Sequence, residues 1–398
     1  MDLKIFTENI EGKALNQIYS LTKLSAFKDS KIRIMPDVHA GKGCVIGFTA
    51  DLGEKVIPNI VGVDIGCGML TVELGNIDID YYLLDTVIHN IIPAGMNVHN
   101  QVSSEIYRNY LEKLICYPQL KNLDHIASSM GTLGGGNHFI EIDQDEDENK
   151  YLIIHSGSRN LGKQVAEIYQ QIAINTMSGK INYKEKLNKL IAEYKNAGRQ
   201  SELQEAILQF NTDFKIQYPS IPEELCYLEG DNRKNYLHDM SICQEFAVEN
   251  RKSMAYAICA EMGWKIKSTF ETVHNYISFK DNIVRKGAIS AYKGQKVLIP
   301  MNMRDGCIIG IGRGNDDWNQ SAPHGAGRIM SRAAAKDSIK LEDFEDSMKG
   351  IYSTTINQST IDESPFAYKP MQEIIDNIQD TVEIKKIIKP IYNFKASE

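Results

Sequence analysis

The sequence has no Cys-x-x-Cys pair, and its seven cysteines make an odd count. Neither a disulfide framework nor a zinc ribbon is indicated, and reduced thiols are expected. No apolar run approaches the roughly 18 residues that a membrane span needs. The opening MDLKIFTENIEGK also lacks the long apolar stretch of a signal peptide, so no membrane association and a cytoplasmic location are expected. Positive charge is not in excess: 44 Lys and Arg face 52 Asp and Glu, a formal net charge of -8. That balance argues against broad, sequence-independent nucleic-acid binding, although a local basic groove remains compatible with it. Internal repeats, low-complexity tracts and linkers are absent as well. The two familiar nucleotide fingerprints are missing. Gly41-Lys42-Gly43 lacks the Ser or Thr and the upstream glycine of a Walker loop, and no Gly-x-Gly-x-x-Gly follows a strand.

What remains is a chain of 398 residues, 42% hydrophobic and 24% charged, long enough to bury a large core. Its first 160 residues alternate β-type runs (KIRIMP, GCVIGFTA, TVELGNIDI, HFIEI, YLIIHS) with glycine-rich loops. Helical spacing dominates from about 160 to 262, in LGKQVAEIYQQIAINTM, YKEKLNKLIAEYKNAG, SELQEAILQFNTDFKIQ and a long stretch that opens NYLHDM. Two or three of these helices are expected to form an insertion or hairpin on the main body. Strand patterns return at FETVHNYISF, AISAY, QKVLIPM and GCIIGIG, and GRIMSRAAAKDSI then reads as a helix. Functional-looking residues fall in the first and last thirds, which favours one domain, 1–398, whose ends pack together.

Five of the nine histidines lie among glycines and small residues: His39, His138, His155, His274 and His324. A histidine taken singly is most often structural. Asp64 and Cys67 stand three apart in VGVDIGCGM, where Gly62, Gly66 and Gly68 permit tight turns. Asp, Cys and His together suit a borderline transition metal such as manganese, iron or zinc, and Asp64, Cys67, His138, His155 and His274 suffice for two adjacent ions. The bland alternative for that loop is a turn with a buried thiol and a capping aspartate. In GTLGGGNHFIEI, exposed amides can cradle phosphate while Asn137 and Glu141 read a base or ribose; a tight hairpin is the alternative. HSGSRNLG places Arg159 four residues after His155, a phosphate clamp beside a ligand, with Ser158 or Asn160 as a helix cap.

The ordered series MPDVHAGKG, GVDIGCGM, GGGNHFIEI, HSGSRNLG, VHNYI, RKGA and HGAGR resembles the RtcB-type RNA-splicing ligases, over about Ile34 to Lys395. The resemblance implies an α+β fold with mixed sheets around a metal centre. It implies an RNA ligase joining 2′,3′-cyclic phosphate or 3′-phosphate ends to 5′-hydroxyl ends with GTP and two Mn²⁺ ions, through a histidine-linked GMP. Carried over, the nucleophile is His324 and the metal ligands are Asp64, Cys67, His138, His155 and His274. The nucleotide contacts are Asn137, Glu141, Asn275, Asn302, Gly325, Ala326, Gly327 and Lys395. RNA or phosphate contacts are Arg159, Arg285, Lys286, Arg328 and Arg332. A helix starting near Gly327 is expected to aim its dipole at the phosphate. An archease-type activator and a monomeric state are further expectations.

One segment departs from the family. It usually carries PGSMGTASY, whereas this chain reads PMNMRDGCIIG, so Asn302 and Cys307 stand where serines are expected. That change motivates two alternatives: a role in RNA repair in place of tRNA splicing, and a metal-dependent RNA phosphoesterase or cyclic-phosphate hydrolase on the same scaffold.

Overall fold

The computed structural model describes residues 1–51, 53–100, 108, 110–214 and 221–396. Its organising element is β6 (Lys150–Ser156), an apolar run whose seven residues are all buried. Around it lies an antiparallel seven-stranded sheet. The order is β11 (Lys296–Asn302), β12 (Gly306–Gly312), β14 (Val382–Lys395), β5 (Phe139–Gln144), β6, β4 (Gly68–Gly75) and β7 (Ser268–Val273).

Period-two alternation sorts this sheet into two faces. Ile140 and Ile142 join Leu70, Val72, Leu152 and Ile154 against Met254, Ala255 and Ile258 of the 32-residue helix Gly230–Glu261. Met69, Phe139, Ile153, Leu298, Ile309 and Ile388 pack together on the other side. The Leu298 amide on β11 donates to Thr272 Oγ1 on β7 at 3.1 Å, so the edge strands meet and the sheet curls nearly into a barrel.

A second, mixed sheet has β1 (Asp2–Ile5), β2 (Lys31–His39), β3 (Ile46–Asp51), β9 (Ile283–Lys286) and β8 (Tyr276–Ile277), with β1 parallel to β2. The short pair β10 (Ala288–Ser290) and β13 (Ser321–Pro323) follows β9 directly and delivers residue 324 beside it. The fold is α+β with mixed sheets, as expected.

The helical region divides into two parts. Helix Arg159–Met177 buries Leu161, Val165, Tyr169 and Ala173 in the core around the second sheet, and Gly230–Glu261 is buried along most of its length. Both are scaffold, because their apolar stripes cover sheets. Among the described residues of this region, only Lys180–Asn196 and Leu203–Asp213 form an excursion. It has its own small aromatic cluster, Tyr183 with Phe210 and Phe214 at ring separations of 5.4 and 5.2 Å. The expected helical stretch at 201–217 ends at Asp213, and residues 215–217 lie outside the described set. Strand β14 has no counterpart among the expected strands; it bulges between Pro390 and Tyr392, where the proline cannot donate to the ladder.

Candidate active site

The loop 62–67 enters β4 through turns that place Asp64 and Cys67 on one point. Cys67 Sγ lies 3.3 Å from His155 Nε2 and 3.5 Å from His138 Nε2, and His138 Nε2 is 3.1 Å from Asp64 Oδ2. The other nitrogen of each imidazole is fixed by a carbonyl. His138 Nδ1 donates to Leu133 O at 2.8 Å and His155 Nδ1 to Asn137 O at 3.1 Å. Those bonds choose the tautomer in which both Nε2 lone pairs face the thiol and carboxylate, the arrangement of metal-bound histidines. His274 hangs from the same frame, its amide donating to Cys67 O at 2.8 Å and its ring 5.3 Å from that of His155. Its Nδ1 is buried with no hydrogen-bond partner among the described residues.

Burial drives His155 and His274 well below the ordinary histidine range, and neighbouring imidazoles add to the effect. Both are therefore neutral imidazoles. Burial, reinforced by Asp64, pushes the Cys67 thiol well up. Burial also opposes charge on Asp64, yet its bonds with His138 hold its carboxyl below the usual value. A soft donor, three imidazoles and a carboxylate, one imidazole nitrogen orphaned, fit a divalent transition ion.

The shell behind these groups comes from residues that no sequence motif singles out. Arg251 Nη1 donates to Gly66 O (2.9 Å) and Ser156 O (2.8 Å), tying the loop to β6. Asn250 Nδ2 donates to Gly157 O at 3.1 Å. Both are fully buried on Gly230–Glu261, where a polar group needs such partners. Gly157 has no room for a side chain, since a Cβ there would stand 2.2 Å from Asp64 Oδ1.

Next to this cluster opens a cavity of about 510 Å³, nucleotide-sized by volume. His39, Asn137, Glu141, His155, Asn302, His324, Gly325, Ala326, Gly327 and Lys395 are among its walls. The His324 ring lies 4.7 Å from that of His274. Its Nδ1 is 2.6 Å from Asp37 Oδ2, which also accepts the His324 amide at 3.1 Å. Asp37 is completely buried, and nothing in MPDVHAGKG by itself marks it as the partner of a distant histidine.

A buried carboxylate, Glu363, organises the opposite wall. Its oxygens take Lys395 Nζ at 2.7 Å, Arg332 Nη1 at 2.7 Å and Arg328 Nη1 at 3.2 Å, with the Tyr368 hydroxyl donating at 2.7 Å. Burial alone would raise this carboxyl; Lys395 and the arginines overcome it and bring it down to about 2. Lys395 also donates to Asn137 O at 3.1 Å, the carbonyl that accepts His155 Nδ1. Glu363 sits in DESPFAYKP, where an acidic pair ahead of an aromatic lysine run is the one sequence signal for it.

Two expectations about helix ends need correction. The helix begins at Arg332, not near Gly327, because Gly327 sits at φ +77° against Asp37 O and Ser331 Oγ supplies the cap by accepting Ala334 N. The helix dipole therefore does not start at the histidine. Ser158 precedes Arg159–Met177 but donates its hydroxyl to Ile65 O at 2.6 Å, capping nothing. Arg285 is fully buried on Asp281 and Asn319 O, and Lys286 Nζ donates to the Lys42 and Asn59 carbonyls; both side chains are internal. Asn275 Oδ1 accepts Gly287 N and its Nδ2 donates to Asp64 O, so it braces loops without lining the cavity. Asn302 lines the cavity, but its amide closes the β11–β12 turn on Asp305. Arg159 stays beside the ligand cluster, bonded to Thr132 Oγ1 and Gly95 O. Arg328 and Arg332 line the cavity with their charges engaged by Glu363 and Asp362.

The family model "tRNA-splicing ligase RtcB" matches residues 17–117 and 117–396. The chain belongs to the RtcB family. RNA-splicing ligase RtcB of Escherichia coli strain K12 is 30% identical over 99% of this chain and 97% of its own length. The tRNA-splicing ligase RtcB of Aeropyrum pernix is 26% identical over 92% and 87%, and RNA-splicing ligase RtcB homolog 2 of Entamoeba dispar 24% over 91% and 80%. No helix among the described residues is long and apolar enough to cross a membrane.

Proposed function

We propose that this RtcB member joins RNA 2′,3′-cyclic phosphate or 3′-phosphate ends to 5′-hydroxyl ends, using GTP and manganese and passing through GMP bound to His324. The observation that carries the reading is the His324–Asp37 pair on the wall of a nucleotide-sized cavity, one ring away from the Cys67, His138 and His155 cluster. With Nδ1–H donated to Asp37, the His324 Nε2 lone pair is the nucleophile, and the carboxylate stabilises positive charge that grows on the ring as it attacks. Attack at the α-phosphorus of GTP forms the N–P bond and releases pyrophosphate. An oxygen of the RNA 3′-phosphate then displaces His324, and the 5′-hydroxyl attacks that activated phosphate to release GMP; a cyclic end is first opened by water to the 3′-phosphate.

Asp64, Cys67, His138, His155 and His274 would hold the divalent ions, which when bound neutralise phosphate charge and polarise the reacting phosphorus. Glu141 is an acceptor suited to a guanine N–H edge and Lys395 a donor suited to its carbonyl side, both set in the cavity wall. Neutral His155 and His274 keep like charge away from His324. The flanking glycines leave the backbone open to phosphate.

A nicked RNA stem-loop with a 2′,3′-cyclic phosphate and a 5′-hydroxyl tests the reading. Sealing that requires both GTP and Mn²⁺ is expected. Cyclic-phosphate opening without GTP and without sealing would instead identify the phosphoesterase.

A further inference from the structure

Behind the cavity, inside the near-barrel, lies a second cluster, of which the ligase reading uses only Glu141. Glu141 and Asp143 project from β5 to the interior face, Cys307 from β12, and their ligand atoms all lie within 4.8 Å of one another. Cys307 Sγ is 3.8 Å from Glu141 Oε1, and Asn393 on β14, directly opposite Glu141 in the ladder, donates to its other oxygen. The surroundings are apolar: Tyr151, Ile153, Leu298 and Ile309. Asp143 is fully buried, and neither of its carboxylate oxygens has a hydrogen-bond partner among the described residues. The Asn393 side-chain oxygen, on a residue 1% exposed in the neighbouring strand, is orphaned too.

Two acidic side chains held together in an apolar interior need positive charge or a proton, and orphaned acceptors mark where it belongs. We infer that Cys307, Asp143 and Glu141, with Asn393 Oδ1 beside them, form a separate site for one borderline divalent transition cation such as Zn²⁺. The donor set of one thiolate and two carboxylates suits that ion class and resembles neither a calcium nor a magnesium cage. Glu141 and Asn393 line the cavity, which gives the ion its entry path. Binding forms an S–metal bond and releases the thiol proton together with the proton that the carboxyl pair otherwise shares. The ion fixes Glu141 from behind, at the floor of the cavity. The site is independent of which reaction occurs there.

Cobalt substitution tests it, because thiolate-bound Co²⁺ absorbs in the near ultraviolet and Cys67 and Cys307 each contribute one thiolate. Full-length protein is stripped with chelator and titrated anaerobically. Cys307→Ser is expected to lose about half of the wild-type absorption, Cys67→Ser to keep that same half, and the double variant to lose it all. Asp143→Asn, which retains the thiol, weakens cobalt binding at the Cys307 site by about tenfold or more. Should Cys307→Ser fail to fold by circular dichroism, the absorption left in Cys67→Ser and its weakening by Asp143→Asn decide between an ion and a proton. Absorption wholly lost in Cys67→Ser and unchanged by Asp143→Asn overturns the site and leaves the pair holding a proton.

Discussion

His324 Nδ1 and Asp37 Oδ2 stand 2.6 Å apart, and Asp37 has no exposed surface. The pair joins β2 to the turn after β13, 287 residues away, so the partner of this imidazole is set by tertiary structure alone. Asp37→Asn keeps the shape but offers a donor or a neutral acceptor where a charge stood. The rate of nucleotidyl transfer to His324 should fall by about 10²–10⁴ with the protein still folded, measured by single-turnover labelling.

Glu363 connects acid stability to the cavity wall. Its carboxyl lies at about 2 in the folded chain against 4.5 ordinarily. Since the folded value is the lower, its contribution is complete above about pH 4.5 and disappears as pH falls toward 2. Glu363→Gln leaves the buried Lys395 ammonium without its carboxylate, while Arg332 keeps Asp362, and should cost about 3–5 kcal/mol near neutral pH. The difference from wild type should narrow in acid, as read by denaturant unfolding at several pH values.

Gly157 is a steric requirement of the Asp64 carboxylate that stands beside His138. A methyl at 2.2 Å from Asp64 Oδ1 must displace that carboxylate while leaving β6 in place. Gly157→Ala should therefore lower Mn²⁺ affinity about tenfold or more with little change in circular dichroism. Calorimetric titration of the purified chain reads this directly.

The excursion of Lys180–Asn196 and Leu203–Asp213 buries no described side chain in the main core. Phe210→Ala removes the ring that packs on Tyr183 and Phe214, and should speed amide exchange within those helices. Labelling of His324 by GTP should be unchanged.

Local patterns expose most strands and the glycine loops, because alternation and turn residues are short-range signals. Cys67, His138 and His155 are recognisable as chemistry-bearing residues for the same reason. Asp37, Asn250, Arg251 and Glu363 are not, since an aspartate in a strand or an arginine in a helix acquires its partner only through packing. Gly327 shows the converse: an alanine-rich run reads as helix from its first residue, while a left-handed glycine pressed on Asp37 delays the start to Arg332. Strand β14 escapes because lysines on its exposed face and Pro390 interrupt a pattern that the ladder with β5 and β12 completes.

The most direct measurement incubates the chain with α-labelled GTP and Mn²⁺, denatures it, and follows the protein-bound label. An acid-labile, alkali-stable adduct that disappears in His324→Ala is the predicted result. No adduct on the wild type, or one that survives His324→Ala, would contradict the account.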